Sequence, residues 1–397
     1  MRGKTFAVQN AKQKAKTTKP RRKEELIHMK FTVEKRLLNE AVTNLQRAVS
    51  SKTSIPALEG ILIRSEENRL ILTAYDLEIG MQTELPAIIS APGAIILTAK
   101  LFAEIVRRSP DEDITIDVDD RNTATITSGV SCFTIIGMDS AEFPELPKIT
   151  DADTIKMPQE LLKSMIRQTL FAVADSTAKP IHQGSLFKIE NGNLDVVSVD
   201  GYRLALRREA INYANNTEFV VPGKTLIEIS KILSGETEDE VSIFFTKNHI
   251  VFEFDDTVVV SRLIEGEYFR IDQMLSSDYE TKFSVNRREF LDCIERATIL
   301  IRENDKKPLI LNVGDNTMEL KLNSSFGSMN AELLIHKTGK DIMIGFNPKF
   351  LIDALRAIED EEINIYMMNP KSPCFIKDEE ETYIYLILPV NFNAASV

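Results

Sequence analysis

Apolar residues first alternate and then fall at three- and four-residue spacings in three separate stretches of the chain. Between Lys30 and Val42 they are Phe31, Val33, Leu37, Leu38, Ala41 and Val42; between Thr154 and Ile166 they are Ile155, Met157, Leu161, Leu162, Met165 and Ile166. A third stretch keeps Phe283, Val285, Phe290, Cys293 and Ile294, with Glu289 at one otherwise apolar position. Alternation lines one face of a strand and the wider spacing lines one face of a helix, so each stretch reads as a strand running into an amphipathic helix. A second kind of helix recurs from Thr98, Pro222 and Asn347. Each opens at a turn and carries a lysine at the same point, Lys100, Lys224 and Lys349, at spacings of 124 and 125 residues. Acidic turns and β-rich segments follow, at Asp111, Glu238 and Asp360. Pro56, Pro180 and Pro308 recur between the two helices at spacings of 124 and 128, ahead of alternating strands such as those from Leu70 and Asn193.

The order in each unit is therefore strand, helix, several strands, helix, several strands, over about 120 residues, the size of a domain rather than a solenoid repeat. This predicts an α+β fold of three similar domains, each built of antiparallel sheets covered by two helices. The expected boundaries are 29–150, 151–279 and 280–392, with a basic and disordered extension over 1–28 and a short C-terminal extension over 393–397. With flanking turns, the six helices are expected over 34–52, 100–109, 158–179, 223–234, 286–302 and 347–358.

Composition narrows the class. With 397 residues, 43% hydrophobic and 27% charged, the chain is long enough for several cores and is neither disordered, collagen-like nor membrane-embedded. No run approaches the roughly 18 apolar residues of a membrane helix. Three widely separated cysteines, Cys132, Cys293 and Cys374, argue against a disulfide framework and for a reducing compartment. Residues 1–28 carry nine Lys and Arg against two Glu, without the apolar core of a secretory signal, so a cytoplasmic protein is expected. That basic segment reads as an extension or an early start, whose lysines could add non-specific affinity for polyanions.

Net charge by itself misleads. The chain has 48 Lys and Arg against 60 Asp and Glu, a net of −12, which argues mildly against a nucleic-acid partner. Sorted by element, the six helical segments hold 18 basic against ten acidic residues, while everything outside them and the tail nets −27. Lys and Arg are good helix formers on any solvated face. Recurrence in three repeats, the shared lysine and the acidity elsewhere point instead to a surface that holds a phosphate backbone in one place and repels it elsewhere. The candidate contacts are Arg47, Lys52, Lys100, Arg107, Lys163, Arg167, Lys179, Lys224, Lys231, Arg287, Arg296, Lys349 and Arg356. Phosphate contacts carry no sequence information, so binding would be sequence-independent and salt-sensitive. Nothing resembles a base-reading module, and no Trp is present for stacking bases.

Catalytic and metal motifs are missing. His28, His182, His249 and His336 are isolated, with no HExxH, CxxC, P-loop or strand-linked GxGxxG. The acidic run from Asp111 lacks the glycine of a calcium loop and alternates like a strand. Neither a metal, a cofactor nor enzymatic activity is expected.

Four stretches in this order carry a resemblance: Met29 to Leu38, Leu72 to Ile79, Val199 to Leu206, and Tyr385 to Val390. Together with the threefold repeat, they make residues 29–392 similar to the bacterial sliding clamp family, the β subunit of DNA polymerase III. The resemblance implies a processivity factor: a head-to-tail homodimer whose six domains form a ring around duplex DNA and tether the polymerase by topology. It also implies a pocket for a short linear peptide of the DNA polymerase III alpha subunit, the clamp loader and other clamp-binding proteins. The pocket walls would be His182, Val199, Gly201, Tyr202, Arg203, Leu204, Met274, Pro348, Leu386, Leu388, Pro389 and Val390. Read without the family, Leu386, Leu388 and Val390 are ordinary strand residues. The resemblance places the dimer seam at Phe133, Ile299 and Leu300. Three positions depart from the family pattern: Phe269 where Pro is usual, Asn391 where Arg is common, and His182 where an apolar residue is more usual. These departures are expected to alter peptide preference without abolishing binding, and residues 393–397 to crowd the groove or lie disordered. A ring-forming paralogue with no main replisome role is the nearest rival reading, and an enzyme on an α+β scaffold the more distant one.

Overall fold

The computed structural model describes residues 29–50, 53–175, 179–236, 238–275, 278–302 and 307–392. Among these, six α-helices appear: α1 Lys35–Leu45, α2 Ala99–Arg108, α3 Gln159–Thr169, α4 Gly223–Ile232, α5 Arg287–Thr298 and α6 Pro348–Ala357. Each coincides with one of the segments expected from spacing. The helices α1 and α3 end earlier than expected, because the chain tightens into 3-10 turns at Gln46–Ala48 and Leu170–Ala172 and then turns extended at Val49 and Val173. The buried residues follow the helical stripe: Leu38, Ala41, Val42 and Leu45 in α1, Leu162, Met165, Ile166 and Thr169 in α3, Phe290, Cys293, Ile294 and Ala297 in α5. Burying each of the larger of these side chains contributes about 1.5–3 kcal/mol. The last two helices also have side-chain caps. Asn286 accepts from the Glu289 amide and Asn347 from the Lys349 amide, with Pro348 preset in the first turn of α6.

The strands pair antiparallel, but the sheets do not stop at the repeat boundaries. Strand Thr257–Arg262, which closes the second repeat, pairs with Ile79–Pro86 of the first through Val258↔Gln82, Val259↔Met81 and Val260↔Gly80. Strand Tyr383–Ile387, near the chain's end, pairs with Arg203–Ala210 of the second repeat. Among the described residues, the contacts consequently group the chain into two compact units, one holding 29–156 with Asp239–Arg262, the other Met157–Glu238 with 263–392. These units do not coincide with the three sequence repeats, because edge pairing carries a strand group of one repeat onto the sheet of its neighbour.

In the first unit, a five-stranded sheet has the order Ile88–Ala91, Met29–Glu34, Asp113–Val118, Thr123–Ser128, Ser131–Ile136. An eight-stranded sheet runs from Asp153–Pro158 through Glu240–Phe245, His249–Phe254 and Thr257–Arg262 to Ile79–Pro86, Arg69–Tyr75, Gly60–Glu66 and Gly93–Thr98. The acidic segment after Asp111 is thus a strand, as its alternation predicts. In the second unit, nine strands form one sheet: Thr217–Pro222, Gly184–Glu190, Asn193–Val199, Arg203–Ala210, Tyr383–Ile387, Cys374–Lys377, Glu362–Met367, Thr281–Asn286, His336–Gly339. Four more strands make a sheet in the order Gly327–Leu334, Thr317–Ser324, Leu309–Val313, Ile342–Phe346. The helices pack in pairs, α1 beside α2, α3 beside α4 and α5 beside α6. Among the described residues, no helix is long and apolar enough to cross a membrane.

A tight point in the nine-stranded sheet gives a direct test of this packing. Gly339 sits opposite Thr281 with φ +96°, and a Cβ there would lie 1.9 Å from the Glu280 carbonyl oxygen. Both the backbone region and the space exclude a side chain, so Gly339→Ala should destabilise the protein by about 2–4 kcal/mol. A urea midpoint equal to that of the parent chain would contradict the strand register described here.

Candidate functional site

The cations expected to meet phosphate fall into groups with different surroundings. Lys100 on α2 and Lys349 on α6 are exposed and reach no carboxylate among the described residues. Lys224 on α4 and Arg296 on α5 are also exposed, and Arg47 is half-buried in the turn after α1. Exposed Arg107, Lys231, Arg167 and Arg356 are ion-paired. Arg107 meets Glu104 at 2.6 Å, Lys231 meets Glu228 at 2.9 Å, Arg356 meets Glu295 at 2.8 Å, and Arg167 meets Glu359. Lys179 lies over the Phe269 ring, 5.9 Å from its centroid. Lys52 lies outside the described residues.

Two of the expected phosphate contacts have a structural task of their own. A helix ends in unsatisfied carbonyls, and a cation placed there both donates to them and meets the negative end of the dipole. Lys163 donates from Nζ to the Leu233 carbonyl at the end of α4, at 2.8 Å. Arg287 donates from Nε to Asp360 O at 2.7 Å and from Nη1 to Leu355 O at 3.2 Å, beyond and within the end of α6. Lys35 does the same for the Ser109 carbonyl after α2. The first helix of every pair thus satisfies the end of the second. In the second repeat Gln159 adds a bond of the opposite sense just beyond α4, its side-chain oxygen accepting from the Ser234 amide at 2.8 Å.

The expected pocket residues belong to the second unit and gather around one apolar cluster. Val199, Leu204 and Leu386 are buried in it with Ile181, Leu186, Tyr268 and Ile271, while Met274 and Leu388 pack against it half-exposed. The first three therefore form its floor, and the accessible rim comes from Tyr202, Met274, Leu388, Pro389 and Val390. The register creates this juxtaposition by setting Leu204 opposite Leu386 and Arg203 opposite Ile387. The last residues are pinned by backbone bonds, Leu388 N–H to Tyr202 O at 2.9 Å and Val390 N–H to Gly345 O at 2.8 Å. Gly201 takes φ +92° with open space around it, which lets the chain turn sharply before the strand. Pro348 is buried at the start of α6, and Asn391 is exposed beyond the rim. Residues 393–397 lie outside the described residues.

Arg203 is more than a wall. Its guanidinium is only 8% exposed and is fully engaged: Asp200 at 2.9 Å, Asp353 of α6 at 2.6 Å and the Phe171 carbonyl at 2.6 Å. The rings of Phe171 and Phe350 lie 5.3 and 4.6 Å from it, and Tyr202 stacks on Phe350. Such a charge is tolerated in the interior because every side of it is either paired or covered by a π face.

Two of the departures in sequence prove to touch each other. The imidazole of His182 stacks on Phe269 at 4.4 Å with 13° between planes, and meets Tyr268 edge-on at 6.1 Å. Tyr268 is held by its hydroxyl, which donates to Gly184 O and Val197 O. The sequence alone could not link positions 182 and 269.

Apolar side chains also lie exposed at two sheet edges. Phe133 is on the outermost strand of the five-stranded sheet, and the same strand exposes Ile136 at 82%. The outermost strand of the four-stranded sheet exposes Leu334 at 79%. Ile299, at the end of α5, is similarly exposed, whereas Leu300 packs partly against the core of its unit. Ile136 and Leu334 were missed by sequence reasoning. Their signal was an apolar residue in an otherwise more polar frame, Leu334 with Ser328, Asn330 and Glu332, and Ile136 with Cys132 and Thr134.

Burial first, and the Lys179 charge second, hold the His182 imidazole below its ordinary value. The unfolded chain then takes up the proton more readily than the folded one, so stability contributed here is lost as pH falls below about 6.5. His249 is shifted the same way, so the comparison must be made against a variant. In His182→Phe, the drop in urea midpoint between about pH 7.5 and 5.5 should be smaller than in the parent chain. An identical drop would remove His182 from the acid sensitivity.

The comparisons with known proteins agree along the length of the chain. Three family models match in order: the DNA polymerase III beta subunit N-terminal domain over residues 29–147, its central domain over 156–269 and its C-terminal domain over 272–391. The beta sliding clamp of Bacillus subtilis (strain 168) is 34% identical over 376 residues, covering 91% of this chain and 99% of that protein. The beta sliding clamp of Staphylococcus aureus is 31% identical over 374 residues, with the same coverage. Among solved structures, a putative DNA polymerase III beta subunit from Eubacterium rectale superposes with a TM-score of 0.89 at 51% identity, covering 92% of this chain and 100% of that one. The B. subtilis sliding clamp structure also gives 0.89, at 34% identity over 92% of this chain and 100% of its own. A threefold sheet-and-helix-pair plan and matches spanning residues 29–391 place this chain in the DNA polymerase III β-subunit family, the bacterial sliding clamps.

Proposed function

We propose that the protein is a DNA sliding clamp, in which two copies close head to tail into a six-domain ring around duplex DNA in the bacterial cytoplasm. The carrying observation is the recurrence, three times in one chain, of a helix pair that buries its apolar stripe and leaves cations on its exposed face. Two copies would supply twelve such helices, each about 15–18 Å long. Cations at Lys100, Arg107, Arg167, Lys179, Lys224, Lys231, Arg296, Lys349 and Arg356 would meet phosphates without reading bases, with Arg47 and Lys52 beside them. Lys163 and Arg287 would act mainly by fixing their helix ends. A ring holds DNA by enclosure, so its contacts need only be weak. Its work is tethering, and the reading assigns it no chemical step.

The groove around Leu388 and Met274 suits a short linear peptide. Its floor is apolar, its rim mixes Tyr202, Pro389 and Val390 with backbone groups, and the Arg203 node holds the rim in place. The peptide would come from the DNA polymerase III alpha subunit, the clamp loader and other clamp-binding proteins. The stacked pair of His182 and Phe269 gives that groove an aromatic side, the basis for a peptide preference of its own.

The seam is proposed between the two exposed strand edges. An edge strand presents unpaired backbone groups and is a template for further pairing. Strand Ser131–Ile136 of one copy would lie along Gly327–Leu334 of the next, with Phe133, Ile136, Ile299 and Leu334 closing an apolar contact and Leu300 beneath it. Different patches meeting in this way close into a ring when the rotation fits.

Once loaded, the protein should remain on circular duplex and be lost from the same DNA after linearisation. Retention indifferent to DNA ends would overturn the enclosure. At the seam, Leu334→Asp combined with Ile136→Asp should shift the mass by light scattering from about twice 44.8 kDa to one chain's 44.8 kDa. If the double variant kept the parent's mass, those edges would not form the seam.

A further inference from the structure

The exposed cations of the helices are not all equally available. Glu104 on α2 is held by both Arg107, at 2.6 Å to each carboxylate oxygen, and Arg108, at 3.1 Å. Those hydrogen bonds hold its carboxyl below the ordinary carboxylate range, so it is a committed anion. At the same place on α4, Glu228 meets Lys231 three residues on, at 2.9 Å. Helix α6 breaks the rule, because its equivalent acid, Asp353, is spent on Arg203. There Glu295 of α5 replaces it, meeting Arg356 at 2.8 and 3.2 Å. Glu359 closes the set by pairing with Arg167 of α3. Three different routes thus lead to one outcome: a cation on the exposed face with a carboxylate already on it.

Stability does not account for this. Ion pairs between side chains at a solvated surface add little to folding, and an acid could have been left out without loss of fold. Electrostatics toward a polyanion does account for it. A phosphate that approaches Arg107 must displace Glu104 or share the guanidinium with it, and the carboxylate repels the phosphate meanwhile. Cations neutralised in this way add little to counter-ion release, which sets both the strength and the salt dependence of non-specific binding.

We propose that Glu104, Glu228, Glu295 and Glu359 are built-in counter-ions that keep the grip on duplex phosphates weak. Each paired cation exchanges between its own carboxylate and a passing phosphate, so that no position along the DNA becomes a trap. The unpaired Lys100 and Lys349 supply the residual attraction. This inference rests on the clamp reading and adds to it the residues that set the friction of movement.

The test uses the full chain with all four glutamates replaced by glutamine, which keeps shape and removes charge. Affinity for a short linear duplex, from which the ring can slide off, is measured against salt; diffusion along stretched DNA is measured after loading. The slope of log affinity against log salt should steepen by about 2–4, and affinity at 50 mM salt should rise more than about tenfold. The diffusion coefficient should fall several-fold. The companion variant Lys100→Gln with Lys349→Gln should weaken duplex binding and flatten the slope. If the lysine variant behaves so while the glutamine variant leaves slope and diffusion unchanged, the counter-ion role is wrong and the DNA-facing reading stands. If neither variant changes duplex binding, the helices do not face DNA and both readings fall. Glu104→Gln with Glu228→Gln alone, confined to pairs within single helices, should give about half the change in slope and serves if the fourfold variant folds poorly.

Discussion

Five backbone pairs, from Arg203 opposite Ile387 to Arg207 opposite Tyr383, join the two halves of the nine-stranded sheet in the second unit. They join strands nearly 180 residues apart in sequence, so the loop they close costs substantial chain entropy before any contact returns it. What offsets that cost is the burial on both sides of the ladder. Leu204, Leu386 and Ile384 enter one apolar cluster, and Ala205, Tyr385 and Ile387 enter another. Because side chains alternate across a sheet, a slip of one residue would exchange these two sets, so the register is strongly specified. The apolar cluster around Leu204 and Leu386 is a consequence of that register.

The Arg203 node shows what such a junction then requires. A guanidinium brought to the joint between a strand and α6 cannot stay there unless its donors are met, and removing one partner of a buried pair costs about 3–5 kcal/mol. Asp353 is drawn from α6 to meet it, which ties the first turns of that helix to the groove's rim through Phe350 and Tyr202. The helix thereby loses the intrahelical acid that α2 and α4 keep, and Glu295 of the neighbouring helix takes its place beside Arg356. One packing decision near the groove therefore alters the charge arrangement on the exposed face of α6.

Electrostatics on the helices works in two directions at once. Lys35, Lys163 and Arg287 are turned inward to satisfy carbonyl ends, and a second set, Arg107, Lys231, Arg167 and Arg356, faces water with carboxylates attached. The basic count of the helices overstates the charge available to an outside partner.

Much of the plan was legible in the chain itself. The three strand-to-helix stretches, the lysines at 124- and 125-residue spacing and the six helices follow from periods of two and about 3.6, which are local properties of a segment. The sorting of charge by element followed from the same assignment. The tertiary structure decided what depends on residues far apart in sequence meeting in space. Edge pairing grouped three repeats into two units. Leu204 and Leu386 were buried while Tyr202 and Leu388 stayed accessible, and Lys163 and Arg287 reached helix ends. His182 and Phe269, separate oddities in sequence, became one stacked pair, and Ile136 and Leu334 were left exposed at strand edges. Periodicity tells which face a residue occupies, and only packing tells what, if anything, covers that face.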